Sequence, residues 1–116
     1  GKNFVICPEG KVFATTGNLK LGTDVFFNYG CFISADRSEL EIGDNTRFGN
    51  NVTIWSNNHN FDSTETLIIN QGYKSEKVII GFDVWVGAGC IILSGADIGD
   101  HSVIAAGSIV SSKIPT

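Results

Sequence analysis

From Ile80 onward a large aliphatic residue returns at every sixth position: Ile80, Val86, Ile92, Ile98, Ile104 and Val110. A small residue often follows it, as at Gly81, Gly87, Gly99 and Ala105. Four positions after each aliphatic stands a compact residue: Val84, Cys90, Ala96, Ser102 and Ser108. Ile42, Phe48 and Ile54 keep the same step, and so do Leu21, Phe27 and Ile33. A helix would repeat at about 3.6 residues and an ordinary strand at about 2. A step of six describes a short strand, a bend, and a return to the same side of a narrow tube. Three such flats close one turn, so the chain is expected to wind as a parallel β-helix.

The pattern fixes the winding. One coil runs from Leu21 to Arg37 or Ser38, and three extra residues, Glu39 to Glu41, precede a second from Ile42 to His59. Two uninterrupted coils follow, 80–97 and 98–115, giving about four coils of 18 residues. Residues 21–116 form the β-helix domain, with a loop inserted at 60–79. Residues 1–20 are expected to add a cap or an irregular partial coil through Phe4, Ile6, Val12 and Phe13.

Composition narrows the function. Only 17% of residues are charged, which points to surface covered by another subunit. The net charge is −4 and no basic stripe is present, so nucleic acid is not an expected partner. No apolar run nears the roughly 20 residues that span a bilayer, so membrane insertion is not expected, and the cytoplasm is the expected compartment. Cys7, Cys31 and Cys90 are too widely spaced for a disulfide scaffold or a zinc motif. Cys31 and Cys90 fall on compact positions and read as small buried hydrophobes.

A perfect repeat needs no insertion, so the segment from Asn60 to Ile79 calls for a function. His59 stands at its base and is the best proton-transfer candidate in the chain. The other histidine, His101, lies in a Gly-Asp-His-Ser turn and reads as a solvated corner residue. One histidine without close Cys or His partners does not make a catalytic zinc site, so no metal is expected. No Gly-x-Ser-x-Gly elbow and no Gly-x-Gly-x-x-Gly loop is present.

Three stretches resemble the bacterial hexapeptide-repeat O-acetyltransferases, which include galactoside, maltose and xenobiotic acetyltransferases and enzymes that modify capsule or lipopolysaccharide. They are Ile42–Ile54, then His59 with Gln71-Gly72, and above all Val78–Val110 with its Val84-Trp85-Val86-Gly87 run. The resemblance covers about residues 19–115. It implies a left-handed coil, an exception to the usual right-handed crossover. It further implies a homotrimer with active sites at subunit interfaces, a protruding loop that shapes the acceptor pocket, and acetyl-CoA as acyl donor.

Carried over by position, His59 matches the family's general base and Trp85 the tryptophan near the pantetheine channel. Ala88 and Ala106 match positions whose backbone amides face the thioester and pantetheine arm. Asp36 matches an acidic residue on the acceptor side, and Asn28 an asparagine there, with Tyr29 or Cys31 as alternatives. Phe61 and Tyr73 of the loop are candidate acceptor contacts. Lys113 is displaced by one position from a lysine that meets a CoA phosphate; Lys74 and Lys77 read as solvating the loop. Asp36, Asp62 and Glu65 are open candidates for an acid that orients His59.

The function expected is therefore acetyl transfer from acetyl-CoA to a hydroxyl of a sugar or another small hydroxylated acceptor. A non-catalytic β-helix scaffold and an amino-sugar N-acetyltransferase are the alternatives.

Overall fold

The computed structural model describes residues 1–60 and 62–116. It is a left-handed parallel β-helix of three five-stranded sheets. The first coil holds β1 (Val5–Ile6), β2 (Lys11–Phe13) and β3 (Asn18–Leu21). The second holds β4 (Phe26–Phe27), β5 (Phe32–Ser34) and β6 (Glu39–Ile42). The third holds β7 (Arg47–Phe48), β8 (Thr53–Trp55) and β9 (Val78–Ile80). The fourth holds β10 (Trp85–Val86), β11 (Ile91–Leu93) and β12 (Asp97–Ile98), and the last β13 (Val103–Ile104), β14 (Ile109–Val110) and β15 (Lys113–Ile114). Strands of equal place in each coil pair in parallel, so β1, β4, β7, β10 and β13 make sheet one, and the other two sheets build likewise.

The six-residue positions point inward as the pattern requires. Phe27, Ile33, Ile42, Phe48, Ile54, Ile80, Val86, Ile92, Ile98, Ile104 and Val110 are all buried. Removing such a side chain from water is worth about 1.5–3 kcal/mol each, and the column is the fold's main source of stability. Val84, Cys90, Ala96 and Ser102 are buried at the corners. The hydroxyl of Ser102 is satisfied by donating to the Gly99 carbonyl at 2.7 Å.

Two corrections concern the winding. The coils number five, not about four, because residues 1–20 carry three strands in register with the next coil: Val5 opposite Phe26, Val12 opposite Ile33, Leu19 opposite Leu40. Among the described residues no further coil covers this one, and its apolar residues Phe4, Val5, Ile6, Val12 and Phe13 are exposed. The extra residues of the second coil are also not Glu39–Glu41, which lie in β6 and pair with β3. They sit in the turn at 35–38.

Every departure from the six-residue step falls at one corner of the prism, the one joining sheets two and three. There the repeat position passes from Val12 to Leu21, from Ile33 to Ile42 and from Ile54 to Ile80, where a six-residue step would reach 18, 39 and 60. The last coil cuts the same corner short, from Val110 to Ile114. The other two corners keep the step throughout, and at the corner joining sheets three and one Asp24, Asn45, Asp83 and His101 stack in the left-handed region at φ 58, 61, 52 and 62°. His101 is the solvated corner residue expected; its Nδ1 lies 2.8 Å from Asp83 Oδ2.

The three outer faces differ in chemistry. Sheet three is charged: Lys77 pairs with Glu41 at 2.8 Å and with Glu39 at 3.7 Å, and Lys20 with Glu41 at 3.7 Å. The hydrogen bond from Lys77 holds the Glu41 carboxyl below its ordinary range and raises the Lys77 ammonium above its own. Sheet one instead exposes Trp85 and Val103, and sheet two exposes Phe13, Trp55, Ile91 and Ile109.

Candidate active site

The inserted loop leaves the coil at His59 and returns at Tyr73, and these two residues form an antiparallel β-bridge at its neck. Asn60 N–H donates to the Gly72 carbonyl at 3.0 Å, and Lys74 N–H to the Asn58 carbonyl at 2.8 Å. Gly72 has φ +80°, a turn conformation that glycine adopts without strain. Gln71 laces the loop from inside. Its Nε2 donates to the carbonyls of Ser63 at 3.0 Å and Thr66 at 2.6 Å, and its Oε1 accepts from Ser63 N–H at 3.2 Å. One amide supplies both donors and acceptors, so a single side chain ties the segment. The loop tip, Leu67 to Asn70, includes a short 3₁₀ turn (Ile68–Asn70), and Leu67, Ile68 and Ile69 are exposed there.

At the neck lies a polar cavity of about 190 Å³ lined by Asn58, His59, Asn60, Asp62, Lys74, Glu76 and Ser94. The imidazole of His59 packs on the Tyr73 ring, centroids 4.6 Å apart and planes at 33°. Among the described residues no side chain hydrogen-bonds to that imidazole.

Of the acid candidates, Asp62 lines the cavity with His59. Asp36 stands at the same corner one coil below, where its carbonyl accepts from Asn57 Nδ2 at 2.8 Å. Glu65 is exposed within the loop and its N–H donates to Ser63 Oγ. Phe61 lies outside the described residues.

Sequence reasoning missed two groups here. Glu76 lines the cavity and is held by Ser94, whose Oγ accepts from Glu76 N–H at 2.7 Å. Arg37 lies over the Tyr73 ring, its guanidinium carbon 4.1 Å from the centroid. The surplus residues near 36–41 were the signal for Arg37, since they widen the coil directly below the loop. Lys77 is spent on the charged face, whereas Lys74 lines the cavity.

A second cavity, also about 190 Å³, opens at the corner of sheets one and two. Trp85, Gly87, Ala88, Val103, Ile104, Ala105 and Ala106 line it. The amides of Ala88 and Ala106 donate to no other backbone group among the described residues, whereas their neighbours Gly87, Gly89 and Gly107 all do. A narrow apolar trough with two free N–H donors suits an extended chain that carries a carbonyl. Asn28 sits at the same corner two coils lower, its Oδ1 accepting from Tyr29 N–H at 2.9 Å. Lys113 is elsewhere, on β15 of sheet three opposite Asp97.

The sequence candidates thus divide between two corners. His59, Tyr73 and Asp36 gather where sheets two and three meet. Trp85, Ala88, Ala106 and Asn28 gather on the far side of sheet two, along sheet one and its corner. Within a single chain the whole width of sheet two lies between them.

Comparison with known proteins places this architecture. A family model described as bacterial transferase hexapeptide (six repeats) matches residues 77–112. The galactoside O-acetyltransferase of Lactococcus lactis subsp. lactis is 36% identical over 99% of the chain and 54% of its own length. A solved galactoside acetyltransferase in complex with coenzyme A is 36% identical and superposes with a TM-score of 0.86, covering 99% of this chain and 56% of that one. A maltose O-acetyltransferase from Clostridium difficile 630 is 35% identical with a TM-score of 0.75, covering 97% and 62%. The chain spans about half the length of the curated relatives it matches.

Proposed function

The chain belongs to the hexapeptide-repeat acetyltransferase family, and on that premise we propose that it moves an acetyl group from acetyl-CoA to a hydroxyl of a sugar or a related small acceptor. The observation that carries this reading is the placement of His59 in a polar cavity at the neck of the loop inserted into the third coil.

The chemistry follows from the groups present. A sugar hydroxyl is a weak nucleophile at neutral pH. His59 Nε2 takes its proton as the oxygen attacks the acetyl carbonyl. The amide of Ala88 or Ala106 is free to donate to the oxyanion. Collapse of the tetrahedral intermediate breaks the carbon–sulfur bond, the CoA thiolate leaves, and the imidazolium returns its proton to sulfur. The products are an acetyl ester and free CoA, and no residue becomes acylated. Trp85 and the trough beside it would hold the donor arm. The rigid coil supplies placement, which is where most of the rate gain arises.

This site needs two copies of the chain. His59 and the donor trough stand at opposite edges of sheet two, so they meet only when one copy's loop corner lies against a neighbour's trough. Sheets one and two expose apolar side chains while sheet three is charged, so association hides the first two and leaves the third in water. A homotrimer with three equivalent interface sites satisfies both conditions and closes without a free end. Among the described residues no helix is long and apolar enough to cross a membrane.

The test is a turnover assay with acetyl-CoA against a panel of mono- and disaccharides and amino-sugars. Free CoA thiol is followed by a disulfide dye, and product mass and linkage are read by mass spectrometry. An acetyl ester formed by the wild type and lost in His59→Ala is the expected result. Transfer to an amine alone would replace this reading with N-acetylation. A folded trimer that neither binds acetyl-CoA nor releases thiol would overturn it in favour of a scaffold.

A further inference from the structure

We propose that Arg37 and Tyr73 are positioning residues for His59, acting as a stack built from three successive coils; this rests on the function proposed above. His59 projects from an open wall, and its imidazole has no hydrogen-bond partner among the described residues. A base that turns freely reaches its proton only part of the time, so something must limit its rotation. The contact available is the Tyr73 ring, at 4.6 Å.

Tyr73 is held from two directions. Its backbone is pinned against His59 by the bridge and by the flanking hydrogen bonds of Asn60 and Lys74. Its ring carries the Arg37 guanidinium at 4.1 Å from the centroid, a cation–π contact. Arg37 can reach there because the second coil is widened at this corner. The residue sits at φ 59°, and its own N–H donates to Thr16 Oγ1 of the first coil at 3.1 Å. The adjoining Asp36 carbonyl is tied to Asn57 of the third coil at 2.8 Å. The insertions in the first two coils thereby acquire a role as footings for the loop in the third.

The stack explains why the surplus residues lie at this corner and at neither of the others. It also predicts a graded response. Tyr73→Ala removes the surface on which the imidazole rests, and a misplaced base costs up to about 100-fold in kcat. Tyr73→Phe keeps the ring and retains most of the rate. Arg37→Ala loosens the ring and lowers kcat about two- to fivefold, the scale of one solvent-exposed cation–π contact. Arg37→Lys restores part of that, since charge survives but the flat stacking surface does not. KM for acetyl-CoA changes less than kcat in all four, because the residues that line the donor trough, Trp85, Ala88 and Ala106 among them, are left in place.

The decisive experiment pairs turnover with proton NMR of the two histidines. Tyr73 shields the His59 ring protons, so Tyr73→Ala shifts them downfield while Tyr73→Phe and His101 hold still, whatever the protein's activity. The expected result is this shift together with the kcat series. Unmoved His59 resonances in Tyr73→Ala overturn the stack outright. Wild-type kcat in Tyr73→Ala and Arg37→Ala, with His59→Ala dead, overturns positioning and leaves the proposed function standing. Full activity in His59→Ala overturns both.

Discussion

Phe27 and Phe48 stack inside the coil with ring centroids 4.7 Å apart and planes 9° from parallel. That separation is the spacing of hydrogen-bonded strands, so two identical side chains in successive coils stack simply by occupying the same register position. Both rings are fully buried. Phe48→Ala removes one ring and leaves a void that neighbouring coils cannot close, since the backbone ladder fixes their distance. The expected cost is about 3–5 kcal/mol. Phe48→Leu, which keeps most of the volume, should cost less. Urea denaturation at one fixed protein concentration measures both, because an oligomer's apparent stability depends on concentration. Equal midpoints for the two variants would contradict a rigid coil spacing.

Asn57 tests the other half of the architecture, the irregular corner. It is buried, and its Nδ2 donates to the Asp36 carbonyl of the coil below. Asn57→Ala strands that carbonyl, at a cost of about 1–3 kcal/mol. The loss should appear first as faster amide exchange at 35–38 and around the loop neck, ahead of the core. Uniform exchange across the chain would mean that the corner is not an independent support.

The core was readable from the sequence because its physics is one-dimensional. An inward residue every six positions is what a narrow triangular tube requires, and Ile80, Val86, Ile92 and Ile98 could hardly serve another fold. Phe48 and Ile54 were found by the same step. Residues 5–21 were harder to read because the step is broken there. Val12 to Leu21 crosses the widened corner, so the regular frame skips and the coil looks like a cap. The site was half legible. His59 stood out by residue type and by its place before the loop, and its family resemblance pointed the same way. Arg37 did not, because the surplus residues mark its stretch but a cation–π contact between residues 36 positions apart leaves no pattern that singles out the residue. Glu76 was hidden for the same reason, its tie to Ser94 being a contact between coils.

The cysteines give a prediction about the interior. Cys31 and Cys90 are buried, their thiols donating to the carbonyls of Gly49 at 3.3 Å and Ala105 at 3.0 Å, whereas Cys7 is only partly covered. Burial pushes the Cys31 thiol above its ordinary range. Folding therefore favours the neutral thiol. This contribution is fully present below the thiol's unfolded pKa and is lost as pH rises through the raised folded value. Iodoacetamide at mildly alkaline pH should modify Cys7 first and reach Cys31 and Cys90 only after unfolding. Mass spectrometry of timed digests reads the order directly. Modification of Cys31 at the rate of Cys7 would show that the coil opens locally below the third layer.

Two glycines at one corner separate the donor trough from the fold that carries it. At Gly87 an added Cβ would stand 2.6 Å from the Ala106 nitrogen, 2.8 Å from its Cα and 3.0 Å from the Ile104 carbonyl oxygen. All three are backbone atoms, so Gly87→Ala must shift the turn that bears the free Ala106 amide. At Gly89 the same Cβ would meet nothing, but the backbone has φ +70°. Gly89→Ala should therefore cost about 1–2 kcal/mol of stability through backbone strain and little else. Gly87→Ala should cost about 1–3 kcal/mol through overpacking and should also weaken acetyl-CoA binding, because the amide and the trough wall move together. Urea midpoints and calorimetric titration with acetyl-CoA, run on both variants, separate the two effects. Weakened binding in Gly87→Ala alone would locate the donor at this corner. Unchanged binding in a measurably destabilised Gly87→Ala would mean that the donor lies elsewhere, and Ala88 and Ala106 would lose their proposed role.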